Sequence, residues 1–290
     1  MEAEDLCCAD GAKYQCLLFD MDDTLYPLST GLNLACRKNI EDYMLHQLGI
    51  EESQVPRMCL ELYREYGTTM AGLKDLGYEF DDDEFHAYVH GRLPYETLKP
   101  DPLLRNLLLS MPQRKIIFTN ADKNHAARVL TKLGLEDCFE GVICFETLNS
   151  PTPVQGSPFD PANEVADDSD DSLMTGDSDA RATMKTNTQN TLQKIICKPS
   201  LTAIQAAIRV ADLDPAKTLF FDDSARNIAT AKLAGLQTVI VGSSSLVPGA
   251  DYALSSIHNI KDALPQIWDN GEEHYLEHFV QSTVETPVLA

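Results

Sequence analysis

The sequence predicts an α/β fold, in which a doubly wound parallel sheet forms a Rossmann-like core and a small all-helical cap is inserted after the first strand. Two observations carry this prediction. Short apolar runs recur without polar interruption, as in parallel strands that are covered on both faces, and amphipathic helical patterns lie between them. This alternation of strand and helix is typical of doubly wound sheets.

Five apolar runs are predicted to be buried strands: "YQCLLFD" (14–20), "KIIFTN" (115–120), "GVICFE" (141–146), "TLFFDD" (218–223) and "TVIVG" (238–242). The segments "HAARVLTKLG", "SLTAIQAAIRVADL" and "SARNIATAKLAG" are predicted to be helices, because apolar residues recur in them at helical spacing between capping residues such as Ser200 and Gly134. Residues 251–257 are predicted to form an edge strand, and "HNIKDALPQIW" a last helix.

One segment after the first strand interrupts the alternation. Residues 27–98 contain helical patterns and no strand pattern, which predicts the cap, and two prolines in "LKPDP" end it. The α/β catalytic core is then predicted to comprise residues 13–26 and 99–270, with flexible tails at 1–12 and 271–290.

A second segment, residues 147–194, is predicted to be an acidic disordered insert within the core. It holds few large apolar residues and has eight Asp and Glu against three Lys and Arg, so it cannot bury enough surface to order itself. The simplest interpretation is an insertion that the fold tolerates. The alternative is a regulated tether, since Ser150, Thr152 and Ser157 each precede proline and could accept phosphate from a kinase.

The composition argues against some partners. Lys and Arg number 23 against 45 Asp and Glu, a net charge of -22, which repels polyanions and predicts no nucleic-acid partner. Apolar runs are far shorter than the ~18 residues of a membrane span, so no membrane partner is expected. Because the eight cysteines are scattered and the acidic start lacks a targeting pattern, we expect a cytoplasmic protein, with the nucleus left open as a second location.

Polar residues stand where three of the predicted strands end. Asp20 ends the first strand, Thr119–Asn120 the second and Asp222–Asp223 the fourth. Because ligands of open α/β sheets bind outside the carboxyl ends of the strands, these side chains are expected to share one edge. Lys198 precedes the helix that leads into the fourth strand and can reach the same edge.

The crowding of Asp20, Asp22 and Asp23 is tolerable if a hard cation lies among them, because carboxylates that close raise one another's pKa. Asp20 and Asp222 can supply two oxygen ligands to Mg²⁺, and a backbone carbonyl near Asp22 a third. One carboxylate would then be poised to attack a bound electrophile. The sequence therefore predicts a Mg²⁺ cofactor and a small phosphorylated substrate.

Four segments, "FDMDDTLYP", "FTNA", "CKP" and "FFDDSARN", resemble the four motifs of the haloacid dehalogenase superfamily of phosphatases, in the family's order. The resemblance covers residues 14–268 apart from the insert, and the helical segment has the position of a cap that follows the first strand. The segments "FDMDDTLYPLSTGL", "FTNADKNHAARVLTKLGL" and "GADYALSSIHNIKDALPQIW" further resemble the pyrimidine 5′-nucleotidase-like branch, especially its plant members.

The resemblance implies a catalytic role for three residues. Asp20 is similar to the nucleophile that forms an aspartyl-phosphate. Asp22 is similar to the general acid that protonates the leaving oxygen and then activates water, and a dehalogenase would lack this acid. Lys198 is similar to the lysine that orders the nucleophile, holds the substrate and offsets charge in the transition state.

The resemblance also implies the binding residues and the activity. Thr119 and the Asn120 amide are similar to the phosphate holders. Asp222 is similar to a direct Mg²⁺ ligand, and Asp223 to a ligand or a support for one. The implied activity is Mg²⁺-dependent hydrolysis of small phosphomonoesters, with nucleoside 5′-monophosphates as the leading class and pyrimidines preferred.

Two alternatives stay open: a phosphomutase or other sugar-phosphate phosphatase, and a non-catalytic regulatory protein that keeps the fold.

Several other residues are interpreted as structural. Thr24 is expected to hydrogen-bond the turn, and Asn227 either to orient Asp223 or to lie on the surface. Three histidines, His86, His90 and His125, are expected not to bind metal. Three tyrosines of the predicted cap helices, Tyr43, Tyr63 and Tyr66, are expected to pack in the core.

Overall fold

The computed structural model describes residues 13–150 and 194–269, and they contain one six-stranded sheet. Its strands are β1 (Cys16–Phe19), β2 (Arg114–Phe118), β3 (Gly141–Ile143), β4 (Thr218–Asp222), β5 (Gln237–Val241) and β6 (Tyr252–Leu254). All neighbouring strands are parallel, in the order β3-β2-β1-β4-β5-β6. The predicted fold class is confirmed, and the predicted edge strand is β6.

Helices cover both faces of the sheet. The helices are α1 (Leu32–His46), α2 (Val55–Tyr66), α3 (Thr69–Asp75), α4 (Asp82–Val89), α5 (Pro102–Leu109), α6 (Lys123–Leu133), α7 (Phe145–Asn149), α8 (Leu201–Val210), α9 (Ala225–Leu233) and α10 (Ile260–Ala263). Leu17 and Phe19 of β1 pack on the side of α5, α6 and α10, whereas Cys16 and Leu18 pack on the side of α8 and α9. Alternate residues of one strand thus enter two cores, which explains the continuous apolar runs.

The four helices α1 to α4 fill the span between β1 and the core helices, where the sequence predicts the cap. They surround their own apolar cluster, in which Tyr43 packs edge-on against Phe80, Phe85 and Tyr88. Phe145 of α7 joins the same cluster, so the helical segment packs on the core beside the end of β3. None of the described helices is long and apolar enough to cross a membrane.

Two element predictions need correction. The run "GVICFE" is a strand only to Ile143, because the chain turns and α7 begins at Phe145; β3 is an edge strand whose Val142 is 36% exposed. The predicted last helix is broken into α10 and flanking 3₁₀ turns, since Pro265 has no N–H to continue the helix.

The boundaries of the predicted insert and tails fall mostly outside the described residues. Helix α7 extends to Asn149, so the first residues of the predicted insert are helical. Thr152 and Ser157, the predicted tails at 1–12 and 271–290, and the proposed disorder of the insert lie outside the described residues.

Candidate active site

The site forms at the carboxyl end of β1, where the sheet order places β2 on one side and β4 on the other. This is the position at which a crevice opens in doubly wound sheets. Asp20 follows β1 directly, and its N–H donates to the Phe221 carbonyl (2.8 Å). This hydrogen bond continues the pairing of β1 with β4 as far as Asp20, which is only 7% exposed.

Both oxygens of the Asp20 carboxylate have donors. Lys198 Nζ lies 2.7 Å from Oδ1, and the Thr24 hydroxyl donates to Oδ2 (3.2 Å). Thr24 is buried and comes four residues after Asp20 in the turn that follows β1. The bland expectation for Thr24 was therefore incomplete, because its hydroxyl orients the carboxylate itself.

The Lys198 ammonium is buried among three acceptors, which equal its three protons. Nζ donates to Asp20 Oδ1, to Asp222 Oδ2 (2.9 Å) and to the Phe118 carbonyl (2.8 Å). Burial disfavours the charge, but the two carboxylates outweigh it and raise the pKa of Lys198. The lysine is therefore a fixed positive charge that ties the ends of β1, β2 and β4 together.

Asp222 is the most thoroughly held carboxylate of the site, with no exposed surface. Besides Lys198, it accepts the Ser224 N–H (2.8 Å) and both its oxygens accept from the Asn227 amide (3.0 Å each). Asn227 was predicted either to orient Asp223 or to lie on the surface. It orients Asp222 instead, since one turn of α9 brings its side chain back to the strand end.

Asn120 holds the backbone of Lys198. Its amide Nδ2 donates to the Lys198 carbonyl (3.0 Å), and its Oδ1 accepts the Lys198 N–H (2.8 Å). The side-chain amide is thus used in positioning the lysine. The neighbouring Thr119 hydroxyl accepts the Ala121 N–H (3.1 Å) and donates to none of the described residues.

Asp22 belongs to a hydrogen-bond network separate from that of Asp20, Lys198 and Asp222. Its Oδ1 accepts a hydrogen bond from the Tyr26 hydroxyl and lies 2.8 Å from His125 Nε2. Enclosure by protein opposes ionisation of Asp22, but the charge and hydrogen bond of His125, with that of Tyr26, lower its pKa to about 2. Its side chain is still 37% exposed, so it remains accessible to a ligand.

The His125 ring begins a stack of three imidazoles that runs into the cap. His125 Nδ1 lies 2.7 Å from the Tyr95 hydroxyl. The His90 ring is 4.5 Å from that of His125 and the His86 ring 5.5 Å from that of His90. His90 Nδ1 in turn lies 2.5 Å from Asp122 Oδ1. These histidines were expected only not to bind metal; the contact of His125 with Asp22 was not predicted.

The three carboxylates of Asp20, Asp222 and Asp223 fit a divalent cation. They can each present an oxygen within 4.8 Å of the others. With Lys198 they carry two net formal negative charges, which a divalent cation would balance. Burial raises the pKa of Asp20 well above its usual value, and the neighbouring carboxylates raise it further, although Lys198 acts to lower it. The Asp22 carboxylate is not part of this cluster, so only its backbone carbonyl remains a predicted ligand.

A cavity of about 250 Å³ joins this cluster to the cap. Its core end is lined by the predicted residues: Asp20, Asp22, Thr119, Asn120, Lys198 and Asp223. Its cap end is mostly apolar, with Leu32, Ile40, Met70 and Phe85 among its walls. The structure therefore encloses a small-molecule space whose two ends differ in polarity.

The cap rests on the loop that carries Lys198. A Cβ built on Gly67, at the end of α2, would lie 2.3 Å from the Lys198 carbonyl oxygen. Arg226 of α9 donates to the carbonyls of Arg64 (2.7 Å) and Tyr63 (3.3 Å), and its guanidinium lies 4.8 Å from the Tyr63 ring. Tyr63 is 46% exposed, so it packs at this contact and not in the cap core as Tyr43 does.

A comparison with protein families matches residues 14–184 to the model of the haloacid dehalogenase-like hydrolases. This chain belongs to the haloacid dehalogenase-like hydrolases. The matched span contains Asp20, Asp22, Thr119 and Asn120, whereas Lys198 and Asp222 lie beyond it and are brought to Asp20 by the fold.

Individual relatives are more distant. Phosphate metabolism protein 8 of Saccharomyces cerevisiae is 33% identical over 132 residues, 43% of this chain and 41% of that protein. The matched region thus spans less than half of the curated relative. Similar solved structures include a HAD phosphatase from Thermococcus onnurineus (16% identity, 86% of this chain and 96% of that one, TM-score 0.48) and L-2-haloacid dehalogenase from Xanthobacter autotrophicus (14%, 86% and 97%, TM-score 0.48).

Proposed function

We propose that this hydrolase cleaves small phosphomonoesters in two steps through an aspartyl-phosphate on Asp20. The observation that carries the proposal is that two carboxylates only two residues apart in the sequence belong to different hydrogen-bond networks. Asp20 lies in the cation-binding cluster with Lys198, whereas Asp22 lies in the network of Tyr26 and His125. Asp20 lies beside a fixed cation, and Asp22 is placed to move a proton.

In the first step, a carboxylate oxygen of Asp20 attacks phosphorus and the bond to the leaving oxygen breaks. Asp22 gives its proton to that oxygen, so the leaving group departs as an alcohol. In the second step Asp22 takes a proton from water, which attacks the phosphorus of the aspartyl-phosphate. Phosphate is released and the Asp20 carboxylate is restored.

The low pKa of Asp22 is compatible with this role. A bound phosphate dianion is a like charge beside the carboxylate, and a like charge raises its pKa. Bound substrate would therefore favour protonation of Asp22. His125 and Tyr26 fix the position of the carboxylate throughout, since both bond to the same oxygen, Oδ1.

Asp20, Asp222 and Asp223 would hold Mg²⁺, together with the backbone carbonyl near Asp22. A bound Mg²⁺ would offset the negative charge of the phosphoryl group and of the three carboxylates. Lys198 keeps Asp20 and Asp222 in place, Asn227 orients Asp222, and the Thr119 hydroxyl is free to donate to a phosphoryl oxygen.

Dehalogenation is the second candidate within the family, and the site favours phosphoester cleavage over it. A halide is a weak base that leaves without a proton, so it needs neither a general acid at Asp22 nor a three-carboxylate cation site. A phosphomutase is disfavoured differently. Among the described residues that line the cavity, Lys198 is the sole lysine or arginine, and its three protons are already committed. No cationic side chain of that lining is left for the second phosphate of a bisphosphate.

The proposed substrates are nucleoside 5′-monophosphates, with pyrimidines preferred. The resemblance of "FDMDDTLYPLSTGL" to the pyrimidine 5′-nucleotidase-like branch supports this, and so does a cavity with an apolar end beyond the phosphate site. We expect kcat/KM for UMP to exceed that for AMP. Equal values, or a preference for AMP, would contradict the pyrimidine assignment without affecting the reaction type.

The proposed reaction is tested by phosphate release over nucleotides, sugar phosphates and lysophospholipids, with Mg²⁺ and with excess chelator, and by halide release from 2-haloacids. We expect Mg²⁺-dependent phosphate release, loss of activity in chelator and poor replacement by Ca²⁺, which prefers more ligands and looser geometry. Halide release, or phosphate release that persists in chelator, would contradict it.

A further inference from the structure

His86 is a polar side chain of the cap that lines the cavity without a hydrogen-bond partner. The residue is 6% exposed, and its Nδ1 is buried and unpaired among the described residues. Nε2 also makes no hydrogen bond to a described residue, and as the less enclosed nitrogen of a ring in the cavity wall it is the one that a ligand can reach. An imidazole carries one donor and one acceptor, and a buried ring nitrogen without a partner is costly.

Three other polar side chains of the cap wall are already engaged. Thr68 caps α3 through the Ala71 N–H (3.1 Å), Thr69 donates to the Cys59 carbonyl (3.1 Å), and Asn33 donates to Asp23 (2.8 Å). His86 differs from all three. Its ring is fixed by ring contacts alone, edge-on to Phe145 (4.6 Å) and stacked at 13° on His90 (5.5 Å).

The surroundings of His86 suit a neutral partner. Burial, and then the nearby His90, lowers the pKa of His86, which favours the uncharged ring. The walls at this end of the cavity are largely apolar. A carboxylate or second phosphate placed here would lose its water without gaining a positive charge.

We infer that the cap end of the cavity binds an uncharged leaving group and that the His86 imidazole forms a hydrogen bond with it. The ligand class is a phosphomonoester whose leaving group is mostly apolar or aromatic and carries a carbonyl, amide or hydroxyl. The inference rests on the proposed function for the phosphate end of the site. It makes His86 a specificity residue, because its contact is to the leaving group and not to the reacting atoms.

The test compares UMP, whose base offers hydrogen-bonding groups, with phenyl phosphate, whose leaving group has an apolar ring. We expect His86→Phe to lower kcat/KM for UMP about tenfold, the worth of one hydrogen bond, and to change that for phenyl phosphate less than about twofold. His86→Gln, which keeps a donor and an acceptor, should recover part of the loss and serves if the Phe variant does not fold. His46→Phe, an exposed histidine of α1, is the control.

A second comparison tests the charge requirement. Glycerol 3-phosphate and 3-phosphoglycerate differ by one carboxylate on the leaving group, and we expect the carboxylate to lower kcat/KM. Equal losses for UMP and phenyl phosphate in His86→Phe, or preference for the carboxylate substrate, would overturn the inference.

A binding measurement separates this inference from the proposed reaction. UMP binding to Asp20→Asn should weaken about tenfold when His86→Phe is added. If the wild-type protein releases no phosphate, the proposed reaction fails, and this titration still decides the role of His86. Unchanged binding in the double variant would overturn that role even in an active phosphatase.

Discussion

The Nζ atom of Lys198 lies 2.7 Å from Asp20 Oδ1 and 2.9 Å from Asp222 Oδ2, so one buried ammonium joins the ends of two strands that are about 200 residues apart in the chain. The lysine is 2% exposed and the Asp222 carboxylate has no exposed surface. In this geometry the lysine has a structural as well as a chemical task, since it neutralises carboxylates that would otherwise repel.

Lys198→Met should therefore damage both folding and turnover. Removing one partner of a buried ion pair leaves uncompensated charge and destabilises by about 3–5 kcal/mol, and the loss of a charge aimed at the transition state costs about 10²–10³-fold in kcat. Mg²⁺ should restore part of the stability and not the activity. Thermal melting and phosphate release decide it, with the exposed Lys194→Met as control; a variant with wild-type melting and turnover would refute the assignment.

Asn227→Ala should weaken Mg²⁺ binding without unfolding the protein. The Asn227 amide donates to both oxygens of Asp222, and partners of metal ligands are commonly worth 10–100-fold in metal affinity or activity. We expect the Mg²⁺ concentration for half-maximal activity to rise by about that factor, with the maximal rate less affected. The exposed Asn106→Ala should change nothing, and an unaltered Mg²⁺ dependence in Asn227→Ala would contradict the role.

Gly67→Ala should lower activity more than its effect on stability explains. Gly67 and Gly77 are both cap glycines with positive φ (91° and 87°), so alanine strains the backbone at either one. A Cβ at Gly67 would lie 2.3 Å from the Lys198 carbonyl oxygen, whereas nothing lies within 4 Å of a Cβ at Gly77. We expect the larger fall in melting temperature at Gly67, and a kcat/KM below that of Gly77→Ala even at a temperature where both variants are fully folded. Equal activities would show that the cap contact does not position Lys198.

The protein should lose stability as the pH falls through 6.5, in part through His86. Its folded pKa lies below the ordinary 6.5, so protons bind preferentially to the unfolded chain and the stability is present above that pH. Burial and His90 lower this pKa against Asp122, Glu146 and Asp82, which raise it. His86→Gln should lose less melting temperature than the wild type between about pH 7.5 and 5.5. His46→Gln is the control, and parallel pH profiles for wild type and His86→Gln would contradict the assignment.

Much of the sheet could be predicted because parallel strands covered on both faces leave continuous apolar runs. The same logic failed at β3. Cys144 and Phe145 extend the apolar run beyond Ile143, but they belong to the turn and to α7, where Phe145 packs on the cap. Burial against a second module gives the same apolar signature as burial in a sheet, so the run does not mark where the strand ends.

The site was predictable to the extent that strand ends converge. Asp20, Thr119, Lys198 and Asp222 lie together for that reason, and Lys198 was placed from the helix that it precedes. The partner of Asp22 was not predictable in the same way. His125 is 103 residues away, and its approach depends on how the first turn of α6 faces β1. The sequence did contain a signal: His125 lies in the first turn of the helix that follows β2, and β2 ends at the site.

Phosphorylation of Asp20 during turnover can be detected by acid quenching of the wild-type protein with UMP and Mg²⁺, followed by peptide mass analysis. We expect one added phosphoryl group on the peptide that contains Asp20, absent from Asp20→Asn, which should fold normally and release no detectable phosphate. A phosphoryl group on another residue would contradict the proposed mechanism, as would activity of Asp20→Asn within about tenfold of wild type.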